Sequence, residues 1–228
     1  MSFSIVALWR FPVKSLAGEP IASATLDAHG VPGDRLVRVM GPEGVRTSRR
    51  HYRLLGLQGS IDEFGQALIN GIPWVDDEAL ALVRGAAGDD AWLEATDDEA
   101  EGGARFDILP LLVATDGAVT AFGRDVRRLR PNILVGGVDG LTERDWPGAD
   151  LIIGGVDSGG AIIRLDSLRG RCPMTTVDPD TLERDPEVLK DIGRRFGGRL
   201  ALNAEVLRAG LISLGDAVAV RRSFEAPS

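Results

Sequence analysis

The chain is poor in the residues that most often carry reactive chemistry. One cysteine, Cys172, stands in 228 residues, which rules out an intramolecular disulfide and a Cys-x-x-Cys redox pair. The two histidines, His29 and His51, are too few and too scattered for an all-protein zinc site. Lysine is nearly absent: of 26 basic residues only Lys14 and Lys190 are lysine. No apolar run approaches the roughly 18 residues needed to span a membrane. The opening MSFSIVALWRFPVK lacks the basic start, apolar block and small-residue cleavage site of a secretory leader. A cytoplasmic, monomeric protein with no membrane partner is expected.

What is present is unevenly placed. The net charge is −8, yet residues 76–101 hold ten acids and a single base, Arg84, so the remainder carries one net positive charge. Such a window reads as a solvated loop and strand edge, or as a docking face for a basic redox partner. Nucleic acid is an unsuitable partner: the sign is wrong and no basic stripe interleaves with aromatics. Arginine presents a planar fork that suits phosphate and carboxylate, so a lysine at position 14 in an arginine-using chain stands out.

With 44 % hydrophobic residues the chain can build a core. FSIVALW (3–9) reads as a buried strand, IASATLDA (21–28) as a half-exposed one, and RLVRVMGPEGVRT as a hairpin around Gly-Pro-Glu-Gly. Further strands are expected at 54–61, 66–70 and 79–84. A helix is expected from Asp116 to Val126, capped by Thr115 or Asp116, and another from Asp185 through RRF before Gly197. ILVGG, LIIGG, AIIRLDSL, RLALNAEVLRAG and AVAVRR complete a mainly β, α+β chain. Two β-rich lobes are expected, at 1–98 and 99–228, with the boundary near 95–105.

The stretch RGRCPMTTVDPDT (169–181) puts Cys172 beside Arg171, with Arg169 two residues further back. A buried small hydrophobe would have apolar neighbours. Nearby positive charge favours a thiolate, which is either a nucleophile or a ligand for a soft metal. Neither histidine offers an evident Cys–His pairing, and a metal held by one cysteine has to bring its other ligands with it. Three more segments offer groups suited to an anionic heterocycle: Lys14 and Ser15 in FPVKS, Asp34 and Arg35 in GDR, and Arg128, Arg130 and Asn132 in RLRPN.

In that order, PVKS, GDR, RPN and RC-x-x-TTVDPDT resemble the MOSC family: the C-terminal domain of molybdenum cofactor sulfurases, the amidoxime-reducing components and bacterial relatives. TSRR (47–50), W-x-G-x-D-L-x-I-G (146–154) and the closing GLISLGDAV extend the likeness over nearly the whole chain. The resemblance implies a MOSC-type β-barrel preceded by a smaller N-terminal β-barrel lobe. It implies a molybdenum–molybdopterin cofactor with Cys172 as metal ligand and catalytic residue. Lys14, Ser15, Arg35, Asp107, Arg130, Asn132 and Arg171 would bind the cofactor, although Ile108 and Leu109 follow Asp107 where relatives have small polar residues. Thr175 and Thr176 either face the cofactor or fill the fold.

The activity so implied is a molybdenum-dependent oxidoreductase acting on small N-hydroxylated substrates such as amidoximes and hydroxylamines. Some bacterial relatives carry a cysteine-bearing [2Fe–2S] tail that is not found here, so electrons are expected from a separate iron–sulfur, flavin or cytochrome protein. The alternative is a cofactor carrier or sulfur-transfer module without turnover. No bound pyridoxal phosphate is expected, since Lys190 lies on a helix outside any Schiff-base context.

Overall fold

The computed structural model describes residues 2–96, 105–155 and 159–222. Its largest element is a closed barrel of seven strands. Around the barrel run Ile133–Gly136, Leu111–Thr115, Arg199–Arg208, Ile162–Gly170, Ala149–Ile153, Ala217–Arg222 and Phe3–Arg10, which pairs back onto Ile133–Gly136. An eighth strand, Glu19–Ile21, lies outside the ring on Phe3–Arg10. Ile5, Leu8, Val113, Leu151, Ile163 and Leu202 enter one core, each almost wholly removed from water, and a register shift between Ile5 and Ala7 brings both Ile5 and Leu8 of the first strand to it. Burying one such side chain is worth about 1.5–3 kcal/mol. One pair in the ring is parallel, Leu111–Thr115 with Ile133–Gly136. Its crossover contains helix α1 (Asp116–Phe122), as a parallel connection requires.

The smaller lobe has two three-stranded sheets, Gly44–Val45/Val37–Gly41/Trp92–Ala95 and Gly59–Ile61/Ala67–Ile69/Ile72–Pro73. They enclose a second core with helix α2 (Asp77–Ala87). A third cluster joins Phe122 and Leu129 to helix α3 (Pro186–Phe196) through Val188, Ile192 and Phe196. The lobes are not consecutive in the chain: the first strand, Phe3–Arg10, completes the large barrel, and Ser23–Leu26 pairs with Gly210–Ser213. Among the described residues no helix is long and apolar enough to cross a membrane.

Several local expectations meet a different backbone. The expected strand 79–84 is helix α2, because Ala79, Val83 and Ala87 recur at i, i+4 and i+8 and face the core together. Asp77 and Glu78 in its first turn complement the helix dipole. The expected strand 54–61 splits into a 3-10 turn, Tyr52–Gly56, and the short strand Gly59–Ile61. Ala17 makes the break by donating to Leu57 O (2.9 Å) and accepting from Gly59 N–H (2.8 Å). The helix from Asp116 stops at Phe122 rather than Val126, since Gly123 adopts φ 66° as its C-cap, and its N-cap is Thr115, whose Oγ1 accepts from Ala118 N–H at 3.1 Å. Residues 21–28 form two strands broken at Ala22. The hairpin at Gly-Pro-Glu-Gly forms as read, with Gly41 opposite Gly44. Helix α3 also forms as read: Asp185 accepts from Glu187 N–H (3.0 Å), Pro186 opens it, and Gly197 closes it at φ 62°. Part of the expected lobe boundary, residues 97–104, lies outside the described residues.

Candidate functional site

Four connections flanking barrel strands converge on one cavity of about 370 Å3. Lys14 and Ser15 follow the first strand, and Asp107 precedes Leu111–Thr115. Arg130 and Asn132 precede Ile133–Gly136, and Arg171 and Cys172 follow Ile162–Gly170. Arg35 enters from the smaller lobe. All eight residues that the resemblance assigned to the cofactor and its metal therefore line one cavity, whereas Asp34 and Arg128, also singled out, do not. Six cationic side chains face it, Lys14, Arg35, Arg49, Arg130, Arg169 and Arg171, against one carboxylate, Asp107.

That carboxylate is the hub of three pairs: Lys14 Nζ at 3.0 Å, Arg49 Nη2 at 2.8 Å and Arg169 Nη2 at 3.1 Å. Burial works against its charge, but Lys14, Arg49 and Arg169 outweigh burial and hold the carboxyl below the usual carboxylate range. Arg49 and Arg169 were not among the residues singled out as binding. Arg169 is readable in hindsight as the other guanidinium of RGRC, two residues before Arg171 at the end of its strand. Arg49 lies in TSRR (47–50), a stretch of the likeness from which no binding role was drawn.

Two other guanidinium groups of the wall have no ion pair among the described residues. The Arg130 guanidinium has no hydrogen-bond or ion-pair partner among the described residues and lies 4.3 Å over the Phe11 ring. Desolvation, and after it the charge of Arg35, depress it to about 9. Arg171 donates through Nη2 to Leu129 O (2.8 Å), while its buried Nε has no partner. Burial lowers Arg171 to about 10. Arginines remain charged near neutrality even so; the depression follows from burying the two guanidinium groups, which for Arg130 the charge of Asp34 offsets only in part.

Asp34 and Asn132 are both fully removed from water. Asp34 accepts from Phe11 N–H and pairs with Arg35. Asn132 accepts from Leu112 N–H (3.1 Å) and donates to Trp9 O (3.4 Å) and to Asp34 (3.3 Å). The Asn132 amide is thereby committed to joining the barrel to the GDR turn. Arg128 points elsewhere, donating to Asp178 (2.7 Å) and Thr175 O (3.3 Å).

Cys172 is a half-buried free thiol. Its carbonyl, not its sulfur, accepts from Thr175 N–H (3.0 Å) and Thr175 Oγ1 (2.9 Å), which folds Pro173–Thr176 into a 3-10 turn. Thr175 and Thr176 are buried with their hydroxyls spent on Cys172 O and Pro173 O, so they fill the turn and do not line the cavity.

The chemistry of the donor set is that of a soft-metal complex bearing an anionic group. It offers one thiol, several unsatisfied guanidinium N–H groups and one carboxylate able to accept from a ring N–H. The volume lies within the range of small-molecule sites.

Two family models match the chain: the MOSC domain over residues 117–219 and the MOSC N-terminal beta barrel domain over residues 2–100. The mitochondrial amidoxime reducing component 2 of Macaca fascicularis is 26 % identical over 235 residues, spanning 78 % of this chain and 68 % of that protein. The molybdenum cofactor sulfurase of Anopheles gambiae is 30 % identical over 194 residues, covering 85 % of this chain but only 20 % of that protein. The YuaD protein of Bacillus subtilis superposes with a TM-score of 0.53 at 15 % identity, over 98 % of this chain and 97 % of that one, a likeness of fold. With its two domains matched over almost the whole chain, this protein belongs to the MOSC family, which is associated with the molybdenum cofactor.

Proposed function

We propose that the arginine-lined cavity holds a molybdenum cofactor and that the protein reduces small N-hydroxylated substrates with electrons from a separate redox protein. One observation carries this reading: the chain's single thiol opens on the same cavity as two buried guanidinium groups, Arg130 and Arg171, that have no ion pair among the described residues. When bound, the group supplies two-electron redox chemistry that amino-acid side chains lack. Overall, an N–OH substrate takes up two electrons and two protons and yields the N–H product and water.

The residues divide into a metal end and an anion end. Cys172 gives the soft sulfur ligand. Arg35, Arg130 and Arg171 offer forked donors to a phosphate dianion, and Ser15 offers a hydroxyl. Asp107, kept ionised by its three cations, accepts hydrogen bonds from a heterocycle, while Lys14 stays within reach of both. Asn132 acts as a positioning residue that fixes the backbone carrying Arg130. The acidic window as a docking face for an electron donor is part of this proposal, and its residues 97–101 lie outside the described residues.

The test is expression in a host that makes the cofactor, followed by metal analysis and reduction of benzamidoxime by the loaded protein with a chemical reductant. The expected result is about one molybdenum per chain with turnover. Cys172→Ser should lose the metal and the activity while melting as the parent does, because the turn uses the Cys172 carbonyl rather than its sulfur. Molybdenum without turnover would point to a carrier. A fully loaded Cys172→Ser protein would remove the assignment.

A further inference from the structure

A second cavity, of about 380 Å3, adjoins the first, and Arg130 and Met174 line both. It lies between the smaller lobe, which contributes Leu55 and Gln58, and the barrel loops, which contribute Val177 and Leu182. Trp9 and Phe11, from the end of the first strand, supply aromatic surface. None of the residues assigned to the cofactor except Arg130 belongs to it.

Its polar groups are mostly spent on one another. Arg127 donates to both Asp180 oxygens (2.9 and 2.8 Å) and to Asp125 (2.7 Å). Arg128 is held by Asp178 at 2.7 Å. Gln58 Nε2 donates to Gly18 O at 2.6 Å. The exception is Arg130, stacked on Phe11 with no acceptor among the described residues. A space of this size holds on the order of a dozen waters at about 30 Å3 each. Walls of Trp9, Phe11, Leu55, Val177 and Leu182 give such waters few partners, so an apolar occupant displaces them favourably.

We propose that this second cavity is a binding site for a small, flat aromatic carboxylate. Its ring system takes the apolar walls and its carboxylate takes Arg130. The charge argument selects a monoanion over a neutral arene, because the Arg130 guanidinium has no ion-paired carboxylate among the described residues, whereas Arg127 and Arg128 each have one. Since the same guanidinium faces the first cavity, an anion bound there and an aryl carboxylate bound here oppose each other, with equal effect in both directions. The site stands whether or not the first cavity takes a molybdenum cofactor.

The experiment is calorimetric titration of the purified chain with 2-naphthoate, methyl 2-naphthoate and acetate. The expected result is saturable 1:1 binding of 2-naphthoate, at least tenfold weaker binding of the ester, and none of acetate. Leu55→Trp and, from another segment, Ala17→Leu fill the cavity and should each weaken 2-naphthoate at least tenfold; either folded variant suffices. Arg49→Ala, which alters only the first cavity, should leave the affinity unchanged. Absence of saturable binding, equal affinity for acid and ester, full affinity in a folded cavity-filling variant, or loss of binding in Arg49→Ala would each overturn the proposal.

Discussion

Replacing Asp107 by Asn deletes one charge and keeps the shape, which isolates what the carboxylate does for the cations around it. Three pairs are lost, but they are unequal. Arg49 is 46 % exposed, so its pair is worth little in water, whereas Lys14 and Arg169, at 15 % and 20 %, are better shielded. With about 0.5–1 kcal/mol for each shielded pair and a few tenths for the exposed one, the variant should lose about 1–2 kcal/mol at pH 7. The pH dependence has a definite sign. Asp107 has a folded-state value below its unfolded one, so its contribution is complete above the unfolded carboxylate range and fades as pH falls through the lower folded value. Urea unfolding of parent and variant should therefore differ at pH 7 and converge as pH falls below the ordinary carboxylate range, about 4. The freed cations should also take up pyrophosphate more readily. A unit charge about 6 Å away is worth roughly 3 kcal/mol at an effective dielectric of 20, and about half of that after salt screening, or close to tenfold in affinity. A stability difference that stays constant down to pH 3, or weaker pyrophosphate binding by Asp107→Asn, would refute the reasoning.

Two further predictions concern buried polar groups. Glu143 is fully buried, with Oε2 on Thr115 (3.3 Å) and Oε1 without a partner, and burial raises its carboxyl above the usual range. The folded state therefore prefers the protonated acid, and the parent should lose stability relative to Glu143→Gln as pH rises from 4 to 8, by about 1–3 kcal/mol in total, read from melting curves across that range. Asn132→Ala leaves Leu112 N–H, Trp9 O and Asp34 short of partners and should cost about 2–3 kcal/mol in urea unfolding. Asn132→Asp should cost more at pH 7, because it sets a second carboxylate beside buried Asp34.

The large barrel was readable because its strands are apolar runs set off by glycine and charged residues, and helix α3 was readable because its caps are local. Helix α2 was misread because ALALVR, taken over six residues, satisfies a two-residue alternation; only the longer run to Ala87 separates it from a helix. The strand Gly210–Ser213 was not read as a strand of its own, because its partner, Ser23–Leu26, is almost two hundred residues away and no local pattern reports it. The site shows the same division. Cys172 stood out by its rarity and Arg171 by adjacency, and the ordered motifs brought the others. Arg49 meets Asp107 across 58 residues, a contact that only the fold creates.

Three of the six non-glycine residues with positive φ among the described residues, Ser15 (77°), Arg35 (53°) and Arg130 (56°), line the first cavity. Each such backbone costs about 1–2 kcal/mol and persists only where the surroundings over-determine it. Here they do. Arg35 N–H donates to Phe11 O (2.7 Å), Asp34 grips Phe11, Arg35 and Asn132 together, and Phe11 lies under both Arg35 and Arg130. Strain and a guanidinium without an ion pair thus meet at Arg130, and both are held by bonds already made within the chain. A bound anion offsets the charge without having to assemble the wall. The cavity is therefore built for a ligand that meets it ready-formed, so that affinity is not spent on ordering loops.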